Sequence, residues 1–333
     1  MSRIHFLNVK EGDCSIIEHF SGRKTVIDVC NAKPLTLAFA AKPQVESAIS
    51  GNFHQKKYSV NPISYMYSHS ITSIFRYIQT HPDMDHMDGI EALFAAFNPI
   101  NFWDTANMKE MSSESWGGSP YQESDWQFYK RLRDKSPQND PKRLTLYSGN
   151  YGIYWTHDLN GELGGDGLYV LAPTPALVEA ANNADNDYNR CSYVILYRVG
   201  NNRIIFSGDS HDETWAHILN QHKIDVTNID LLIAPHHGRR SGRSYDFLNT
   251  LRPALTFFGN ARSQHLAYSA WHYRRLSIVT NNQANCMVVD ASETPMTLYV
   301  TNENYARQVN WSTFYSDSFK AWYVGPITEN LIP

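Results

Sequence analysis

The first thirty residues alternate apolar and polar positions in three short bursts, "RIHFLNV", "CSIIEHF" and "TVIDVC", separated by the polar turns "KEGD" and "SGRK". Period-two alternation broken by short turns predicts consecutive antiparallel strands. Further on, "GLYVLAP", "SYVILYRV", "RIIFSGD" and "IDLLIAP" carry strand patterns, and "DETWAHILNQH" between the last two has the apolar spacing of an amphipathic helix. Another strand-to-helix transition is predicted where the apolar-rich "SITSIFRYIQT" gives way to "GIEALFAAF". From about Asp104 to Gly167 the pattern lapses into polar, Gly/Ser/Trp-rich sequence with one predicted helix, "ESDWQFYKRLRDK". No repeat of fixed period, low-complexity tract or long Pro/Gly linker divides the chain. The expectation is one α/β (α+β) domain over residues 1–333 with a lid-like insertion at about 104–167.

Composition narrows the class. With 42% hydrophobic residues, the 333-residue chain can bury a sizeable core. It has no run of eighteen apolar residues, and its start lacks the basic-then-apolar pattern of a signal peptide, so a cytoplasmic protein with no membrane contact is expected. Cys14, Cys30, Cys191 and Cys286 are isolated from one another, which argues against a disulfide framework or a thiolate zinc site. A formal net charge of −4 argues against coating of nucleic acid through bulk charge, while leaving room for a local basic patch.

The densest chemistry lies in "THPDMDHMDG", at the predicted strand-to-helix turn. His81, Asp83, Asp85 and His86 occupy i, i+2, i+4 and i+5. On an extended segment the first three point the same way, and a turn brings the fourth back toward them. Nitrogen and carboxylate ligands of this kind suit Zn²⁺ or Mn²⁺. The competing reading is a polar turn in which Asp85 caps the following helix. Two other strand ends add polar groups of the same type: "RIIFSGDSHDE" leads into Asp209, and "DLLIAPHHGRRSG" into His236 and His237.

Taken together, "NVKEGDCSIIEHF", "THPDMDHMDG", "IIFSGDS" and "APHHGRRSG" make the chain resemble a metallo-β-lactamase-fold hydrolase, and within that group the hydrolase domain of ComEC-type competence proteins. The resemblance runs from about Ile4 to Asp290 and is poor between Asp104 and Gly167. It implies an αββα sandwich of two mixed sheets. It further implies two divalent ions: His81 and Asp83 hold one, Asp85 and His86 the other, Asp209 bridges them and His236 completes the second. Asp in place of the more common His at position 83, and "NRCSYVIL" with Asn189 and Ser192 where other branches place a histidine, leave one ion with fewer ligands. Asp85 and Asp209 then have catalytic roles through the ions, and His237 is free to orient a ligand or donate a proton to a leaving group. Which of the two paired histidines faces the metal stays open, and Asp13 and His272 are possible supporting groups.

Beside this cluster, "HHGRRSGRS" adds Arg239, Arg240 and Arg243, whose guanidinium groups suit phosphate oxygens. With ComEC-type domains regarded as nucleases, the expectation is hydrolysis of a phosphodiester, most simply in DNA. A small-molecule phosphodiesterase acting on a cyclic nucleotide or similar diester is the alternative. Partner proteins are left open.

Overall fold

The computed structural model describes residues 1–34, 52–135, 140–183, 187–261 and 263–332. The opening alternation forms three antiparallel strands, β1 (Arg3–Phe6), β2 (Ser15–Glu18) and β3 (Lys24–Ile27). Three parallel strands extend this sheet, β4 (Arg76–Ile78), β5 (Asn101–Trp103) and β6 (Lys142–Leu144). A second sheet follows: β7 (Leu168–Ala172), β8 (Val194–Val199), β9 (Asn202–Phe206), β10 (Leu231–Ile233), β11 (Leu255–Phe258) and β12 (Ile278–Thr280). The chain then returns to the first sheet with β13 (Met287–Asp290), β14 (Thr297–Val300), β15 (Tyr315–Ser316) and β16 (Ala321–Pro326). The described residues thus form one ten-stranded and one six-stranded mixed sheet.

Period-two geometry sorts each strand's apolar residues to its two faces. Ile4, Phe6, Ile17, Ile27 and Ile78 of the first sheet meet Ile195, Ile204, Phe206, Ile233 and Phe257 of the second in a shared core. The outer face of the first sheet, with Ile16, Val26, Tyr77 and Phe102, is covered by α1 (Pro62–Ser68), α2 (Ile90–Phe97) and α3 (Glu123–Arg133). The outer face of the second, with Leu196, Ile205 and Leu232, packs against Trp215, Leu248 and Trp271 from helical segments. The layers are therefore helix, sheet, sheet, helix.

The stretch 104–167, of which 136–139 lie outside the described residues, carries β6 and α3 and is tied into the body of the molecule. Trp126, Tyr129 and Leu132 of α3 are buried in the outer core. Asp125 accepts the backbone N–H groups of Gly89 at 2.9 Å and Glu91 at 3.1 Å, so it satisfies the first turn of α2, where Gly89 itself offers no side chain. The helix cap thus comes from Asp125 across space.

Parallel pairing places the site. Ile27 of β3 lies opposite Ile78 of β4, and Phe206 of β9 opposite Ile233 of β10. The residues that follow each strand leave the sheets side by side: Asp28, then Gln79 to His81, Ser207 to Asp209 and Ala234 to His237. Carboxyl ends of parallel strands are a recurrent place for ligand sites, because loops diverge there.

Candidate metal centre

After β4 the chain passes through Gln79, Thr80 and His81 to a 3₁₀ turn at Met84–His86 and then into α2. Asp28 pins this loop. Its carboxylate accepts the Thr80 N–H at 2.7 Å, the Thr80 hydroxyl at 2.6 Å and the His86 Nδ1–H at 2.8 Å. Gln79 Nε2 donates to the carbonyls of His81 and His86 at 2.8 and 3.0 Å. The "KEGD" turn lies so close that a Cβ on Gly12 would fall 1.6 Å from the Asp85 carbonyl oxygen, which requires glycine there.

His236 and His237 both adopt left-handed backbone, with φ of 53° and 58°. Two consecutive non-glycine residues in that region cost about 1–3 kcal/mol each. The surrounding packing holds them there and turns both imidazoles toward Asp209.

At the centre stands the Asp209 carboxylate, buried at the end of β9. His86 Nε2 lies 3.3 Å from its Oδ1; His81, His236 and His237 Nε2 lie 3.8, 3.6 and 3.8 Å from Oδ2. Asp85 Oδ2 is 3.4 Å from His237 Nε2. Three sets bring ligand atoms within 4.8 Å of one another: His81, His86 and Asp209; Asp85, His86 and His237; Asp13, Asp209 and His237.

Hydrogen bonding decides which nitrogens are free to ligate. Thr80 gives its own proton to Asp28, so its oxygen accepts from His81 Nδ1 at 3.0 Å. His86 Nδ1 donates to Asp28, and His237 Nδ1 sits 2.9 Å from Asp13 Oδ1. Nδ1 of His81 and of His86 is thus occupied, which leaves Nε2 of each to face the centre, while neither ring nitrogen of His237 is hydrogen-bonded among the described residues. His236 is the reverse: Arg243 Nη1, which can only donate, lies 2.8 Å from its Nδ1, so its proton is on Nε2. Consistently, Nε2 of His81, His86 and His237 and Oδ1 of Asp209 are buried with no hydrogen-bond partner among the described residues. Buried lone pairs left unpaired are costly, and a cation satisfies them together. The residues present fit a divalent metal ion.

The electrostatics agree. Burial opposes a proton on His237, yet the Asp13 and Asp209 carboxylates push its pKa up to about 10. Burial likewise opposes charge on His86, and Asp209, Asp28 and Asp85 outweigh it to raise the pKa well above the usual histidine range. The acids thus create a site that holds cations. At His236 burial dominates, with His237, Arg243 and Arg239 adding to it, and the pKa falls to about 4, so the ring is neutral.

Other residues singled out in the sequence fall as follows. Asp83 is one-third exposed, 3.7 Å from His81, and its Oδ1 is 2.5 Å from Lys109 Nζ. Asp13 touches His237. Ser192 accepts the Asp209 backbone N–H at 3.2 Å, and Asn189 Oδ1 is buried without a partner among the described residues. Arg243 is buried and saturated: Nε donates to the Ser210 carbonyl at 2.8 Å, Nη2 to the Asp209 carbonyl at 2.5 Å, and Nη1 to His236 and Ser241. It braces the loops of the centre. Arg239 is half-buried and Arg240 exposed. His272 is exposed and stacks on Tyr268. The supporting roles of Asp28 and Lys109 carry no local signal in the sequence: the first is an acid ending a strand, the second a lysine in a polar stretch.

No described helix is long and apolar enough to cross a membrane. No protein-family profile and no curated protein matches the sequence. Among solved structures the chain is similar to Igni18, a metallo hydrolase from the hyperthermophilic archaeon Ignicoccus hospitalis (11% identity, TM-score 0.44, 86% of this chain and 99% of that one). It is also similar to Tm1679, described as a metal-dependent hydrolase of the β-lactamase superfamily (10% identity, TM-score 0.42, 84% of this chain and 96% of that one). Against the diiron β-hydroxylase CmlA from Streptomyces venezuelae, at 10% identity and TM-score 0.39, 77% of this chain matches 44% of that one, so it spans less than half the other's length. Nothing in these matches points to a ComEC-type member. With TM-scores below 0.5, the likenesses leave the chemistry to be argued from the site itself.

Proposed function

We propose that the chain is a metal-dependent phosphodiester hydrolase, with DNA as its substrate. The observation that carries the reading is the convergence of buried, unpartnered Nε2 atoms from His81, His86 and His237 on the Asp209 carboxylate. Asp85, His86, His237 and Asp209 would hold a Zn²⁺ or Mn²⁺ ion, and the sequence pattern offers a second place beside His81 and Asp83. A divalent ion there supplies Lewis acidity toward a phosphoryl oxygen and makes water a competent nucleophile near neutral pH.

The chain's own groups do the rest. Asp28 and Thr80 fix the ring orientations of His86 and His81 by hydrogen bonds, and Asp13 lies 2.9 Å from His237 Nδ1. His236, neutral and carrying its proton on Nε2, takes the part of donor toward a leaving oxygen, a role the sequence left open between the two paired histidines. Arg239 and Arg240 are the cations of the loop not consumed by bracing, and they suit a polyanionic strand. One observation favours the second reading, a small diester: Arg243 is committed to the scaffold, which reduces the loop's free positive charge.

The test is turnover of bis-p-nitrophenyl phosphate by metal-stripped protein resupplied with Zn²⁺ or Mn²⁺, followed by single-stranded DNA, double-stranded DNA and a cyclic-nucleotide panel. Diester turnover that returns with metal and extends to DNA is expected. Turnover of cyclic nucleotides without DNA cleavage moves the assignment to the small-diester reading, and no turnover of any diester with either metal overturns the function.

A further inference from the structure

The two sides of the Asp209 carboxylate are unequally furnished. On one side Asp85, His86 and His237 stand together, and the two rings are backed by the acids Asp28 and Asp13. On the other side His81 Nε2, backed by a hydroxyl, stands with His86 and Asp209, which are shared with the first side, and among the described residues the unshared carboxylate beside His81 is Asp83. That carboxylate is already paired with the Lys109 ammonium at 2.5 Å.

Lys109 is not a loose surface cation. Its carbonyl accepts from Arg133 Nη1 of α3 at 2.7 Å, and its N–H lies 3.3 Å from Asn107 Oδ1. Asn107 is in turn fixed to the Tyr129 hydroxyl at 2.6 Å. Helix α3 therefore holds the lysine's backbone while the side chain, largely covered, reaches the centre. A divalent ion on this side would have to share His86 and Asp209 with the first ion, and displace a well-anchored ammonium from the carboxylate that is not shared.

We propose that the centre holds a single tightly bound divalent ion, on the Asp85–His86–His237–Asp209 side, and that the Lys109 ammonium stands in the charge position of a second ion on the His81–Asp83 side. This rests on the metal-dependent reading above. Lys109 is then a positioning residue that limits stoichiometry, and Asp83 is the lysine's partner and not a ligand.

The experiment is calorimetric titration of metal-stripped full chain with Zn²⁺, with elemental analysis after desalting. Wild type is expected to take up one equivalent. Lys109→Met, close in shape but uncharged, is expected to admit a second, because Asp83 is released. Asp83→Asn should leave the first equivalent's affinity unchanged. Circular dichroism of each variant checks the fold, and Asp83→Asn tests the inference independently of Lys109. Two equivalents in wild type, a single equivalent in folded Lys109→Met, or a loss of about 10–100-fold in first-ion affinity in Asp83→Asn, the size expected when a ligand's support is removed, overturns it. No uptake by any form overturns the metal-dependent function itself, which separates that failure from this one.

Discussion

Two of the buried clusters of charged side chains among the described residues differ in what is left over. In the first, Asp166 accepts from Arg23 Nη2 at 2.7 Å, from Ser21 Oγ at 2.7 Å and from Arg76 Nη2 at 3.2 Å, while Arg76 Nη1 donates to Thr25 Oγ1 at 2.8 Å. Arg76 and Asp166 are almost wholly enclosed, yet neither leaves an unpaired polar side-chain atom. That cluster ties the segment before β7 to the first sheet, and its only buried unpartnered atom among the described residues is Nδ1 of the neighbouring His19. In the second, around Asp209, acids and imidazoles crowd together, and four ring nitrogens and two carboxylate oxygens are left without hydrogen-bond partners among the described residues. Burial of charge is common to both. Unused lone pairs aimed at one point distinguish a place built for a cation from a structural ion network.

The sharpest way to break this contrast is Asp209→Asn. Metal uptake and diester turnover should both fall to the level of stripped protein, with circular dichroism unchanged, because the carboxylate faces all four histidines and adds nothing to the apolar core. Retained uptake by elemental analysis would remove the distinction. Next in size, Asp166→Asn leaves two guanidinium groups, one fully buried, without their counter-charge. It should cost about 3–5 kcal/mol in urea melts while metal affinity stays as in wild type. A change in metal affinity there would mean the two clusters are coupled.

Asp28→Asn tests the support beneath the ligands. It preserves shape but weakens the bonds that orient His86 and Thr80, and metal affinity by calorimetry should drop by about 10–100-fold. Undiminished affinity would show that ring orientation comes from packing alone.

Acid and alkali should separate the clusters. Asp166 is held below its ordinary value of 3.8, since Arg23, His19 and Arg76 outweigh its burial. Its contribution is therefore present above that pH and is lost on acidification. In metal-free protein His237 is raised from 6.5 to about 10 despite burial, so its contribution is complete below 6.5 and disappears as pH rises toward 10. Metal-free protein is expected to lose thermal stability on that alkaline rise, and metal-loaded protein to be spared, because the ion takes the place of the protons. Identical alkaline profiles with and without chelator would contradict the assignment of His237.

The smallest effect is expected at Arg240. Replacing this exposed arginine with Ala should flatten the salt dependence of DNA binding by about one unit of slope and leave bis-p-nitrophenyl phosphate turnover as it was. Equal loss on both substrates would favour the small-diester reading.

The sequence by itself determined the alternation of strands and helices and the residue types gathered at the strand ends. Those follow from local periodicity: "RIIFSGD" and "IDLLIAP" read as strands because each apolar position has its own face to fill, and "HPDMDH" is polar where the strand must stop. Tertiary structure alone decided which atoms are available. His236 and His237 are adjacent and chemically identical, and their surroundings diverge because left-handed backbone at both places one Nδ1 beside Arg243 and the other beside Asp13. Asp28 lies more than fifty residues from the loop it orients. Lys109 reaches Asp83 only because α3 docks on the first sheet. Arg243 sits among arginines that look alike in sequence, and backbone carbonyls of the Asp209 loop claim it. A hydrogen-bond direction depends on which group lies on the far side of a ring, and only the packed fold sets that.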